Sequence, residues 1–338
     1  MRAIPFLAVL AVSLFGPFGA AAPELAGDKL KVVATLPDLA DLITAIGGEH
    51  VEVKTLARPG QNLHAVRVKP SHLVAVSRAD LFVQVGLSLE HAWVPGLLET
   101  GRNRAVLPGQ PGFVSAGEDY ETIEVPVRQD RAISADVHPQ GNPHINLSLG
   151  GGLHMAKRIR DGLIRVDPDH AADYRTGFER WNGDYLKARA RWDAIAKAAV
   201  EKHADACLYH QEFDYLLGEM GIAIAAFLEP RPGLAPTPSH LGKVIQTIRE
   251  KGIPVVLTAP WSNNKNVARV AKTTGCRILE LPVMVGGRPE HGTWIAMMDD
   301  CVDRLAKAYG IDPEAAVRRF GGKPAGKEVE PQRAGGGR

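Results

Sequence analysis

Cysteine is scarce, three residues in 338. Cys207, Cys276 and Cys301 lack the C-x-x-C rhythm of a structural zinc site. Cys207, in Ala206-Cys207-Leu208-Tyr209, reads as a buried thiol. Cys276 and Cys301 are open either to a disulfide or to remaining free, because sequence separation fixes no Cα distance. Aromatic residues are few, at 6%, so no stacking platform for bases or sugars is advertised. An excess of one charge is also missing: 40 basic against 38 acidic side chains leave a net +2, which gives no electrostatic case for nucleic acid or a membrane surface. Enzyme signatures are absent too, with no G-x-S-x-G elbow, Walker A loop, H-E-x-x-H, or G-x-G-x-x-G opening a helix after a strand. Gly150-Gly151-Gly152 comes after no strand pattern and reads as a turn. These gaps point away from catalysis, although a catalytic triad needs no local motif.

The long apolar run that is present lies at the start. Arg2 precedes Ile4 to Phe18, and Gly19-Ala20-Ala21-Ala22 comes next with small residues. The run is shorter than the roughly 20 residues that span a bilayer. Residues 1–22 therefore read as a secretory signal cleaved near Ala21 or Ala22, with a retained anchor as the competing reading. No cysteine comes after the run, so nothing marks a lipid anchor, and a soluble periplasmic protein is expected.

The remaining length suits two domains. β-prone runs at residues 31–35, 51–56 and 80–85 are separated by helical patterns at 39–46 and at 71–78, the latter expected to be capped by Ser71. That alternation argues for a parallel sheet. Residues 108–143 are rich in Gly, Pro and Asp and read as loop. From 169 to 202 no proline occurs, and Tyr174, Phe178, Trp181, Tyr185, Trp192 and Ile195 recur mostly three or four apart. This predicts one helix about 50 Å long at 1.5 Å per residue, with a break at Gly183 as the alternative. Strand and helix patterns then alternate again: strands at 206–209, 222–227, 254–257 and 277–281, helices at 214–220, 239–250, 266–273 and 294–309. The expected fold is α/β, two lobes of mostly parallel sheet flanked by helices and joined by one long rigid helix. The corresponding division is a first lobe at 29–168, the linking helix at 169–202, a second lobe at 203–320, and a disordered tail at 321–338.

Histidine is the informative residue, with twelve in all. His50, His91, His170, His203 and His291 stand in polar turns or at helix ends, where solvation is expected. His72, His154 and His240 stand in helical contexts that packing or capping explains. His64, His144 and His210 differ. Each comes just after a strand or sits at a loop tip, where ligand sites of open α/β sheets gather. Imidazole nitrogens suit zinc, and three of them plus a fourth group make a tetrahedral site. On spacing alone, plain loop histidines explain them better, and composition does not settle it.

Several segments in order resemble the metal-type solute-binding proteins that feed zinc or manganese to ABC importers, over nearly all of residues 29–320. Asn62-Leu63-His64 through Lys69-Pro70-Ser71 to Asp80-Leu81 resembles the first ligand loop of that family and the helix and strand after it. Gly86-Leu87-Ser88-Leu89-Glu90 resembles its N-G-x-x-L-E segment, and Asn142-Pro143-His144 its D-P-H motif. His210-Gln211-Glu212-Phe213-Asp214-Tyr215 resembles H-x-x-F-x-Y, and Glu229-Pro230-Arg231-Pro232-Gly233 the segment after the next strand. The resemblance implies a buried metal between two lobes, held by His64 and His144 from the first and His210 from the second. Manganese-binding relatives tend to carry a carboxylate at the third position, so His210 favours zinc. The family's fourth ligand, an aspartate near the last strand, is missing here, and Glu280, His138 or a water stands in for it.

The expectation is a non-enzymatic periplasmic receptor, a monomer that binds Zn2+ as transported ligand and docks on the permease of an ABC importer in the inner membrane. A manganese or iron receptor on the same scaffold is the alternative. A secreted zinc-dependent hydrolase using Glu212 or Glu280 as base is a third reading. Because ligating imidazoles must be neutral, release near pH 5 is expected from the ordinary histidine pKa of about 6.5.

Overall fold

The computed structural model describes residues 28–125, 138–262 and 264–321. The signal-peptide reading at 1–22 and the tail reading, from 322 onward, lie outside them. Among the described residues no helix is long and apolar enough to cross a membrane.

The first lobe runs β1 (Leu30–Ala34), α1 (Pro37–Gly47), β2 (Val51–Thr55), α2 (Pro70–Ser77), β3 (Leu81–Gln84), α3 (Val94–Gly101), β4 (Phe113–Ser115) and α4 (Gly151–Val166). Its sheet is parallel in the order β2-β1-β3-β4. Val32, Val33, Leu81, Phe82 and Val83 are all buried, the composition of strands covered on both faces. Pro37 and Pro70 open their helices at a position where a missing N–H costs nothing. The cap of α2 is Lys69, not Ser71, and the His72 side chain accepts from the Lys69 backbone N–H.

The linking helix α5 (Ala171–Glu201) is continuous through Gly183. Its Gly177 lies against the Ile46 carbonyl, where a Cβ would collide, so α1 and α5 meet backbone to backbone. Tyr174, Phe178, Trp181, Tyr185, Trp192 and Ile195 are buried along it, as their spacing predicts.

The second lobe runs β5 (Asp205–Leu208), α6 (Asp214–Glu219), β6 (Ala223–Phe227), α7 (Pro238–Lys251), β7 (Val255–Thr258), α8 (Lys265–Thr274) and β8 (Arg277–Glu280), then α9 (Trp294–Ala308) and α10 (Pro313–Phe320). Its order, β6-β5-β7-β8, repeats that of the first lobe, again all parallel.

Strand β4 and helices α3, α4 and α10 are not among the elements expected from the sequence pattern. Helix α4 begins inside the glycine run that reads as a turn. Gly152 faces the Trp294 ring so closely that no side chain fits, so the glycines let the first turn of α4 pass over that indole. Among the described residues all three cysteines are free and buried, and Cys276–Cys301 is not a disulfide. His291 is fully buried and its Nε2 lies 3.0 Å from Asp300, so it is not a solvated turn residue. Polar contacts also tie the lobes together. Asp38 accepts from the Val285 N–H, Asp41 accepts from the Trp294 N–H at 2.7 Å, and Trp294 Nε1 donates to the Asn146 carbonyl at 2.8 Å.

Candidate metal centre

His64 lies in a one-turn 3-10 helix, Leu63–Ala65, on the loop after β2. His144 precedes a similar turn, Ile145–Leu147, that leads into α4. His210 comes two residues after β5. The repeated strand order brings all three to the carboxyl ends of the sheets, where a crevice between lobes collects loops.

The first two histidines share a device. In Asn62-Leu63-His64 the Asn62 side-chain oxygen accepts from the His64 N–H at 2.9 Å, and in Asn142-Pro143-His144 the Asn142 oxygen accepts from the His144 N–H at 3.0 Å. Asparagine closing a turn on the residue two positions on is its habitual role. Asn142 also spans the lobes, because its amide donates to the Gln211 carbonyl at 2.9 Å. The Tyr215 hydroxyl donates to the Asn142 carbonyl at 2.7 Å. Behind this loop, Glu219 accepts from the Leu149 and Gly150 N–H groups at the start of α4 and pairs with Arg189 of α5 at 3.2 Å.

His210 is held differently. Its Nδ1 lies 2.7 Å from Glu229 Oε2, which leaves Nε2 as the atom able to face the other two rings. A carboxylate on the far nitrogen fixes the tautomer and raises the basicity of the near one. Glu229 in turn accepts from the Gly233 N–H at 3.1 Å. Its segment is legible as a motif, but its role is not. The signal in the sequence is a carboxylate just after β6, the strand beside β5.

One ligand atom from each of His64, His144 and His210 lies within 4.8 Å of the other two, and all three residues are buried. His64 Nε2 and His144 Nε2 stand 3.3 Å apart. Two nitrogens bound tetrahedrally at 2.0–2.1 Å to one ion stand about 3.3–3.4 Å apart, so this spacing matches a shared zinc-sized ion. The Nδ1 atoms of both rings are buried without a hydrogen-bond partner, an orphaned polar pair in a folded core. Burial pushes the His64 pKa down to about 3, with the charges of His210 and His91 adding to it and the Leu89 backbone opposing. Burial likewise holds His144 well below the ordinary value, helped by His64, His210 and His138. The rings are thus kept neutral, as ligands must be. The proton competition expected near pH 5 moves lower for the same reason.

Among the described residues, neither suggested fourth residue is in the group whose ligand atoms lie within 4.8 Å of one another. Glu280 ends β8 and lines a cavity of about 120 Å³ with Pro59, Gly60, Pro260 and Met284. His138 stacks on His64, ring centroids 5.0 Å apart and planes 29° apart. Glu212 is buried beside His210 with neither carboxylate oxygen hydrogen-bonded. Burial raises its pKa to about 7 against the lowering effect of His210.

Residues 32–308 match the family described as zinc-uptake complex component A, periplasmic, ZnuA. The chain belongs to that family. Its members are the metal-type solute-binding proteins of ABC importers, substrate-binding proteins and not enzymes. The iron-binding protein YfeA of Yersinia pestis is 25% identical over 304 residues, 85% of this chain and 89% of that protein. The manganese-binding lipoprotein MntA of Halalkalibacterium halodurans is 26% identical over 282 residues, 82% of this chain and 87% of that one. A crystal structure of ZnuA shares the fold with a TM-score of 0.69 at 18% identity, covering 83% of this chain and 100% of that one. A periplasmic metal-binding protein from Candidatus Liberibacter asiaticus does so at 0.67 and 17%, covering 82% and 98%.

Proposed function

We propose that this protein is a periplasmic zinc receptor whose cargo is held by the Nε2 atoms of His64, His144 and His210, and that it passes the ion to the permease of an ABC importer. The observation that carries the reading is the 3.3 Å approach of two buried imidazole nitrogens, with a third imidazole from the opposite lobe beside them. An all-nitrogen trio suits zinc, whereas manganese favours oxygen donors. Three protein ligands leave the fourth position to a group outside the trio. The names of YfeA and MntA keep iron and manganese in view as cargo on the same scaffold.

Binding here is capture without a chemical step. Burial keeps the His64 and His144 imidazoles neutral, so loading at neutral pH releases few protons from those two, and the Glu229 carboxylate steadies the His210 ring as charge arrives. The apolar run near the N-terminus supports export to the compartment where such a receptor works. The test is a competition titration of zinc against manganese on the metal-free protein and its His210→Ala variant. The expected result is one tightly held zinc per chain, preferred over manganese and sharply weakened in the variant. Manganese preferred over zinc, or a variant equal to the parent, would overturn the reading.

A further inference from the structure

An outer layer of the second lobe differs from its counterpart on the first. Helices α7 and α8 pack together on one face of the sheet. Leu241, Val244 and Ile248 of α7 and Val267 and Val270 of α8 share one apolar cluster with Cys207 of β5 and Val256 of β7. The opposite faces of the two helices are exposed and basic. Lys265, Arg269 and Lys272 follow at steps of four and three along α8, one stripe on the helix, and Lys243, Arg249 and Lys251 are exposed on α7. Arg249 donates to the Thr273 carbonyl at 2.8 Å and ties the helices to each other. Glu250 is the one carboxylate on either helix, and it accepts from Gln246. Six basic side chains against one acid stand out in a chain whose whole excess is two.

The scaffold does not demand this. The strand orders match, so α2 and α3, which lead to β3 and β4, are the counterparts of α7 and α8, which lead to β7 and β8. Neither α2 nor α3 contains a lysine or arginine, and Glu99 is their one acidic residue.

We propose that the face formed by α7 and α8 binds an anionic phospholipid surface, so that the receptor rests by this flank on the membrane that holds its importer. The assignment holds whichever ion the trio takes, and it borrows from the zinc reading only the location outside the cytoplasm.

Three observations carry it. The first is that the charges are uncommitted. Lys251 pairs with Asp205 at 3.1 Å, but Lys243, Arg249, Lys265, Arg269 and Lys272 are in no ion pair among the described residues. Arg158, Arg189, Arg191 and Arg319, elsewhere on the surface, are each paired. Neighbouring like charges repel, and an anionic surface relieves that repulsion.

The second is composition. Four of the six basic residues are lysines, and neither helix holds a Trp, Tyr, Phe or Met. Protein interfaces are poor in lysine and rely on aromatic, Met and Arg anchors. A layer of anionic headgroups presents a diffuse field instead, to which point charges on flexible stems are suited.

The third is position. The basic face belongs to the helix layer of the second lobe, whereas His64, His144 and His210 sit on loops after the strands. Adsorption by the flank leaves those loops uncovered. A receptor held on the membrane also meets its permease at a raised effective concentration.

The test is co-sedimentation of the full chain with vesicles of phosphatidylcholine alone and of phosphatidylcholine with an equal share of phosphatidylglycerol. The apolar run at residues 4–18 is common to every variant, so the readout is the ratio of binding to the two vesicle types. The parent should bind the anionic vesicles at least about a hundredfold more tightly than the neutral ones. That preference should vanish near 1 M salt, where the screening length is about 3 Å. Lys265→Gln/Arg269→Gln/Lys272→Gln should lose roughly a hundredfold, about fivefold for each charge. Lys243→Gln/Lys272→Gln, drawn from both helices, should lose about 25-fold and guards against misfolding of the triple variant. Arg78→Gln/Arg102→Gln/Arg104→Gln removes as much charge from the matching flank of the first lobe and should stay within about twofold of the parent. Equal binding to both vesicle types, or equal losses in the two triple variants, would overturn the assignment. Binding of polyglutamate without binding of anionic vesicles would overturn it too, in favour of an acidic protein partner. Zinc titration of the same proteins keeps the two readings apart. All variants should hold zinc within about twofold of the parent, as separate sites do, and a parent that takes no zinc would overturn the trio while the vesicle result stands.

Discussion

The two lobes share a strand order yet hold their histidines by unlike means. In the first lobe, His64 and His144 are fixed through the backbone: each closes an Asn-x-His turn, and each ring is buried with an orphaned Nδ1. In the second lobe, His210 is fixed through its ring, with Glu229 2.7 Å from Nδ1. The first arrangement places two nitrogens at a set spacing and tunes them through burial alone, with no carboxylate on either ring. The second tunes one nitrogen through a carboxylate on the other. A receptor that must both grip and yield its ion can use such a division, with a preset pair on one side and a carboxylate-supported partner on the other.

The largest effect that bears on this comparison is loss of a ring. His144→Ala and His210→Ala should each weaken zinc binding by more than the roughly 10–100-fold that removal of an outer partner costs. Equal retention in either variant would remove that histidine from the trio. Glu229→Gln should fall within that roughly 10–100-fold range, read by competition with a chelator of known affinity.

The pH dependence of the metal-free protein sharpens the contrast next. The folded-state pKa of His64 is depressed to about 3, while the unfolded chain titrates near 6.5. The stabilising effect of a neutral His64 is therefore complete above pH 6.5 and is lost as pH falls from there toward 3, at up to about 1.4 kcal/mol per pH unit. Thermal melts from pH 7 to 4 should show metal-free His64→Asn gaining on the parent as pH falls. Parallel curves would contradict the burial argument.

The smallest effect belongs to the turns. Asn62→Ala removes one neutral hydrogen bond worth about 1 kcal/mol, so zinc affinity should drop about fivefold. A loss as large as that of Glu229→Gln would erase the distinction between the lobes.

Much of the fold is readable because the buried parallel strands are short apolar runs, as in Val32-Val33-Ala34 and Leu81-Phe82-Val83, and because the aromatic stripe of α5 keeps helical spacing without a proline. Helix α4 is not readable, because its glycine start carries a turn signal whose true cause is the Trp294 ring, distant in sequence. His291 looks solvated for the same kind of reason: the Asp300 that receives it lies on α9. For the site, the loop positions of His64, His144 and His210 are legible one by one, but their convergence is a property of two sheets meeting, which no local pattern encodes. The role of Glu229 is likewise a matter of contact. The residues are visible in the sequence, and their neighbours are not.

Zinc K-edge X-ray absorption on the zinc-loaded protein tests the central claim most directly. Three imidazole nitrogens at about 2.0–2.1 Å, with the imidazole scattering reduced in His210→Ala, is the result expected of a tetrahedral site built on the trio. A shell dominated by oxygen or sulfur, or one unchanged by the loss of His210, would contradict it.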